Sequence, residues 1–141
     1  MSIWFAQADP EALNRALKNT LGETLNMQVT EIGDDFLRMT MPVNKTTHQP
    51  LGLLHGGASM ALSESVASLA ASLCLDISKQ YPVGAEINAN HLRSIREGIV
   101  TATARPFHIG RRSHVWDIQI RDEQERLICI SRMTASILDH S

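Results

Sequence analysis

From Ala58 to Leu75 the chain consists almost wholly of Ala, Ser, Leu and a few other apolar residues, with no proline or glycine. Helix formers fill the stretch and nothing breaks it, so it predicts one long helix. Small side chains over much of its surface let other elements approach from several directions. The apolar positions Met60, Leu62, Val66, Leu69, Leu73 and Cys74 also spread too far round the axis to make one narrow stripe. A central, enclosed helix is expected, and the rest of the chain has to wrap it.

What surrounds that helix favours strands. Met27 to Ile32 and Phe36 to Val43 prefer extended backbone and flank Gly33-Asp34-Asp35, a hairpin pattern. Beyond the helix, Val83, Ala85, Ile87 and Ala89 alternate with Gly84, Glu86, Asn88 and Asn90. Val100, Ala102 and Ala104 alternate with Thr101 and Thr103, and Trp116, Ile118 and Ile120 with Asp117, Gln119 and Arg121. Leu127 to Leu138 is rich in β formers, and turn chemistry falls at Arg96-Glu97-Gly98, Ile109-Gly110-Arg111 and Asp122-Glu123-Gln124. At the other end, Asp9-Pro10-Glu11 supplies a cap, a first-turn proline and an N-terminal acid. A short amphipathic helix through Leu13, Ala16 and Leu17 should follow and end near Gly22. Helix, two strands, long helix, four strands joined by short turns predict an α+β layer, an antiparallel sheet against one helix.

Composition narrows what such a chain does. Its 141 residues, 43% hydrophobic, suffice for one buried core, and no repeat or linker divides them, so residues 1–141 are expected to form a single domain. A net charge of -2 gives no field for gripping nucleic acid or an anionic membrane. No apolar run has the length of a membrane span and the N-terminus lacks a leader pattern, so a cytoplasmic location is expected. Cys74 and Cys129 lie in apolar stretches and read as reduced core residues.

Chemistry concentrates at the start of the long helix and two turns inside it. Glu64 is a carboxylate in an Ala/Leu/Ser-rich helix; it either faces solvent at a helix edge or has a job, and Ser68 at i+4 shares its face. His55-Gly56-Gly57-Ala58-Ser59 offers backbone N–H groups at a helix N-terminus, with glycines that admit a ligand, which suits an anion or a developing oxyanion. At ~1.5 Å per residue Glu64 lies roughly 13 Å from those groups, so a site shared between them needs two chains. Gly57-Ala58-Ser59-Met60-Ala61 falls short of a nucleophile elbow, and a proline-containing loop precedes it where an elbow needs a buried strand. His48, His55, His91, His108, His114 and His140 show no metal-ligand spacing. Arg93, Arg96, Arg105, Arg111, Arg112, Arg121 and Arg132 crowd the second half, as solvated strand ends or as a cradle for phosphates beside Gly110. Few aromatic residues sit beside them, which disfavours single-stranded nucleic acid.

Together, Gln49-Pro50-Leu51-Gly52-Leu53-Leu54-His55-Gly56-Gly57-Ala58-Ser59, Glu64-Ser65 and Gly84-Ala85-Glu86-Ile87-Asn88-Ala89-Asn90-His91-Leu92-Arg93 resemble the hotdog-fold acyl-CoA thioesterases of the PaaI-like type. The likeness runs from the N-terminal helix to Ser131-Arg132-Met133-Thr134. It is strongest toward the branches that hydrolyse 1,4-dihydroxy-2-naphthoyl-CoA and that proofread enterobactin synthesis. The resemblance implies a long antiparallel sheet wrapped round one central helix, dimers joined sheet edge to sheet edge, and a homotetramer of two such dimers. It implies that Gly56 N–H of one subunit polarises the thioester carbonyl while Glu64 of the other attacks it or activates water. Gln49 then orients the water or carboxylate, His55 positions the thioester and Ser68 supports Glu64. A thioester carbonyl is already electrophilic and a thiolate leaves readily, so neither metal nor cofactor is expected.

The CoA nucleotide is assigned by the same resemblance to His91, Arg93, Ser94, His108, Gly110 and Arg112, and the acyl pocket to Leu69 and Ser72. Two departures stand out. Arg111-Arg112-Ser113 follows Gly110 where Ser then Arg is the pattern, adding positive charge, and Ser72 replaces an aromatic residue, implying a roomier pocket and an acyl group that need not be naphthoyl. Aromatic, medium-chain or β-hydroxy acyl groups on CoA, or on an acyl or aryl carrier protein, are the substrates this implies. A non-catalytic hotdog protein that binds CoA esters is the alternative; a hotdog dehydratase needs an Asp/His dyad that this pattern lacks.

Overall fold

In the computed structural model, which describes residues 1–141, the long helix spans Gly56–Leu73 (α3). Before it come Pro10–Ala16 (α1), Leu21–Thr24 (α2), Gln28–Ile32 (β1) and Leu37–Val43 (β2); after it come Gln80–His91 (β3), Gly98–Ile109 (β4), Ser113–Arg121 (β5) and Leu127–Asp139 (β6). The six strands form one antiparallel sheet in the order β1-β2-β4-β5-β6-β3. Alternation does what period two requires: Leu37, Met39, Met41, Trp116, Ile118, Ile120 and Met133 point inward and are fully buried. Against them lie Leu62, Val66, Ala67, Ala70 and Ala71 of α3, also fully buried. The alanines let the sheet curl closely round the helix, so the expected α+β architecture of a sheet about a central helix is the one found.

Three expectations need correction. The first helix does not reach Gly22: Asn19 takes a left-handed conformation, φ 64°, and Thr20 caps a separate helix, its Oγ1 accepting the Gly22 N–H at 3.2 Å. Nor is α3 enclosed all round. Its sheet-facing side is buried, whereas Gly57 and Glu64 on the opposite side are exposed and Met60, Ala61 and Ser68 only half-buried. Finally, β3 does not pair with β4. It crosses to the far edge and pairs with β6, so Arg96-Glu97-Gly98 ends a crossover and not a hairpin. That crossover is pinned to the loop before α3: Leu54 N–H donates to Ile95 C=O at 2.8 Å, His48 Nε2–H to Arg96 C=O at 2.7 Å, and Arg96 Nη1 to Leu51 C=O at 3.2 Å.

The sheet's two edges differ. At β1, the Asn14 carboxamide occupies the outward groups of Val29, accepting its N–H at 2.7 Å and donating to its C=O at 3.0 Å. One side chain thus closes a five-residue edge. β3 is twelve residues long, largely exposed, and its outer edge carries no such closure. An open edge of that length is a template for another strand.

Candidate active site

The loop into α3 is shaped by Thr47, which is buried, donates to Pro42 C=O and accepts the Asn44 N–H, while its own carbonyl accepts the His55 N–H at 2.8 Å. This delivers His55 to the N-cap, where Nδ1 accepts the Gly57 N–H at 2.7 Å and fixes the neutral ring's proton on Nε2. Ala58 and Ser59 N–H both reach the His55 carbonyl. Gly56 N–H is left without a protein acceptor at the positive end of an 18-residue helix. A Cβ there would stand 2.9 Å from Nε2 of the exposed His91 ring, so glycine lets the two lie close. Gln49 Oε1 accepts the N–H groups of Leu51 and Leu53, which holds the carboxamide in place and leaves its NH₂ free to donate. Gln49, Gly56 and Ser59 share a cavity of about 310 Å³ with His91, Arg93 and Ser94.

Glu64 lies two turns further along α3, exposed, with no ion pair and no hydrogen bond within the chain. Its carboxylate rests on the backbone of β3, and a Cβ on Gly84 would come within 3.0 Å of Oε2, at the point where a bulge shifts the register. Glu64 and Ser68 line one groove of about 380 Å³ with Leu21, Gly57, Met60, Ala61 and Ser65, but they do not hydrogen-bond each other. Gly84 and Leu21 escaped the sequence reasoning. A glycine interrupting an alternating strand is a signal of close approach and marks the first; nothing local marks the second.

The residues expected at the CoA nucleotide fall into two groups. His91, Arg93 and Ser94 end β3, whereas His108, Gly110 and Arg112 form the β4–β5 hairpin. His91 pairs with Cys129 and Ser113 with Ser136, so along β6 the groups stand roughly 23 Å apart at ~3.3 Å per residue. Arg93, Arg111 and Arg112 are exposed and unpaired. The other arginines do not join one cradle: Arg105 pairs with Asp35, Arg121 bonds Gln119 and the Glu125 carbonyl, and Arg132 sits over Phe107. Leu69 leans on the core, and Ser72 turns its hydroxyl back to the Ser68 carbonyl, so neither lines the Glu64 groove. A cavity of about 460 Å³ on the sheet's polar outer face holds Arg105 and Arg121 but none of the residues expected at the acyl or CoA site.

Burial pushes the Cys74 thiol up to about 11 and raises Cys129 as well, so both remain protonated and unreactive. His114 is fully buried with neither ring nitrogen bonded; burial, and secondarily the charge of His108, lowers its pKa. No three His, Cys, Asp or Glu side chains converge as a metal ion requires. No helix is long and apolar enough to cross a membrane.

Known proteins resemble this chain along its length. The family model described as the thioesterase superfamily matches residues 51–129. The 1,4-dihydroxy-2-naphthoyl-CoA hydrolase of Escherichia coli is 49% identical over 96% of this chain and 99% of that protein. The proofreading thioesterase EntH of Cronobacter turicensis is 46% identical over 96% and 98%. The crystal structure of a Q49A mutant thioesterase from Pseudomonas aeruginosa superposes with a TM-score of 0.97 at 46% identity, covering 99% of this chain and all of that one.

Proposed function

Because the chain belongs to the thioesterase superfamily, has its hotdog fold and is a thioester hydrolase, we propose that it cleaves acyl-CoA esters at a site shared by two protomers. One protomer supplies the Gly56 N–H and Gln49, and the other supplies Glu64. The observation that carries this is the pair of unsatisfied groups on one helix: a free N–H at its start and a free carboxylate about 12 Å along it, too far apart to act together in one chain.

Two copies joined along β3 bring them together. An antiparallel pairing centred near Ile87 and Asn88 sets His91 of each chain opposite Gly84 of its partner. Gly56 packs on the first and Glu64 on the second. The same pairing swings the His91 end of one chain toward the β4–β5 hairpin of the other, so the two separated groups of cationic residues converge on one nucleotide.

In that setting Gly56 N–H, reinforced by the helix dipole, stabilises negative charge building on the thioester oxygen. Glu64 attacks the carbonyl carbon or takes a proton from the attacking water, and the CoA thiolate departs. Gln49 orients the attacking group, His55 holds the helix start in register, and Ser68 stands beside Glu64. A homotetramer of two such dimers, on the PaaI-like pattern, and a cytoplasmic setting complete the proposal. Aromatic or β-hydroxy acyl groups are the substrates proposed, with no single naphthoyl substrate fixed, and a carrier-protein thioester would enter by the same cationic mouth.

Thiol release measured over aryl, hydroxyaryl, straight-chain and carrier-protein thioesters tests this. Glu64→Ala should keep its fold, as expected of an exposed side chain, and lose on the order of a hundredfold or more in turnover. Wild-type rates from that variant would reject the proposal. Tight ester binding without thiol release by the native protein would instead mark it as a non-catalytic CoA-ester binder.

A further inference from the structure

Leu21 is a large apolar side chain left 58% exposed on a helix of four residues. That helix is well fixed: Thr20 caps it, Gly22 is buried against Leu17, and Met27 N–H donates to the Gly22 carbonyl at 2.8 Å. The side chain faces the groove that holds Glu64, opposite the surface of α3. The rest of the lining is Gly57, Met60, Ala61, Ser65 and Ser68, so Leu21 and Met60 are the only large apolar side chains in the groove. A firmly held Leu thus shares a groove of mostly small residues with a free carboxylate.

Leu69 and Ser72, the positions expected to set acyl preference, lie outside this groove. We infer that Leu21, with Met60 in the same groove, is the specificity-determining contact for the acyl group, holding a flat aromatic or compact apolar acyl chain next to Glu64. This rests on the proposed hydrolase site and goes beyond it by naming the wall that selects the substrate. Apolar contact of this kind discriminates by the volume removed or added, typically about 10-fold or more per group. It acts on the acyl part alone and leaves the CoA moiety unaffected.

The test uses the full-length protein with Leu21→Ala and Leu21→Trp, both at an exposed position. Two readouts are taken: kcat/KM for benzoyl-CoA against acetyl-CoA, and the Kd of the non-hydrolysable thioether phenacyl-CoA against that of free CoA. The expected result for Leu21→Trp is a fall of roughly tenfold or more in the benzoyl to acetyl ratio, with phenacyl-CoA weakened and free CoA unchanged. Leu21→Ala should weaken phenacyl-CoA and lower the benzoyl to acetyl ratio of kcat/KM. Unchanged ratios and unchanged phenacyl-CoA affinity overturn the inference even if hydrolysis is brisk. Leu21-dependent phenacyl-CoA binding in a protein that releases no thiol would sustain it while the hydrolase proposal fell.

Discussion

At the scale of single residues, two positions carry consequences that composition does not disclose. Gly56 lies against the exposed His91 ring, whose Nε2 stands 2.9 Å from where a Cβ would sit, so Gly56→Ala pushes that ring away from the helix start. His114 is a buried imidazole whose folded pKa lies below its ordinary 6.5. Below that value the unfolded chain takes up a proton that the folded chain resists, so stability is whole at neutral pH and declines as pH falls through 6.5 toward the lower folded value. Urea midpoints between pH 7.5 and 5.5 should therefore drop for the native protein and drop less for His114→Met; parallel slopes would exclude His114 as the source. The sequence exposed His55, Gly56 and Glu64 because glycines at a helix start and an acid within an apolar helix are local anomalies. It could not expose the contact of Gly56 with His91, since 35 residues and a strand crossing lie between them.

At the scale of elements, α3 and β3 form the working pair of the proposed site: the helix carries Gly56 and Glu64, and the strand lies against both of them. Gly84 lies under Glu64 where the β3 register shifts, and Gly84→Ala would place a methyl 3.0 Å from Oε2. The carboxylate must then move by a fraction of an ångström, and kcat should fall by about tenfold while KM and thermal midpoint hold. Steady-state kinetics beside a melting curve separate this from a folding defect. Strand identities were legible because β2 and β5 alternate cleanly between core and surface and β6 is rich in β formers. Strand neighbours were less so: alternation says which face is buried but not which strand lies alongside, and β3 left its sequence neighbour for β6. The division between α1 and α2 turns on one backbone angle at Asn19, which periodicity does not register.

At the scale of the whole molecule, the proposed site exists only between copies. Gly56→Ala and Glu64→Ala should each sharply lower turnover, yet unfolding and refolding them as a mixture should restore about a quarter of native activity, because half the dimers are mixed and each holds one intact site. Refolded separately, neither should recover; a mixture as inactive as its components would place both groups in one chain. On the proposed dimer, the open edge of β3 also bears on the chain's life before it meets a sister. A newly made protomer displays a row of bare amides and carbonyls to whatever extended polypeptide is nearby, and only a bulge and Pro82 discourage the wrong match. Slow synthesis or scarcity of sisters should therefore favour clumping over catalysis, and output per molecule should climb with abundance until mating is complete.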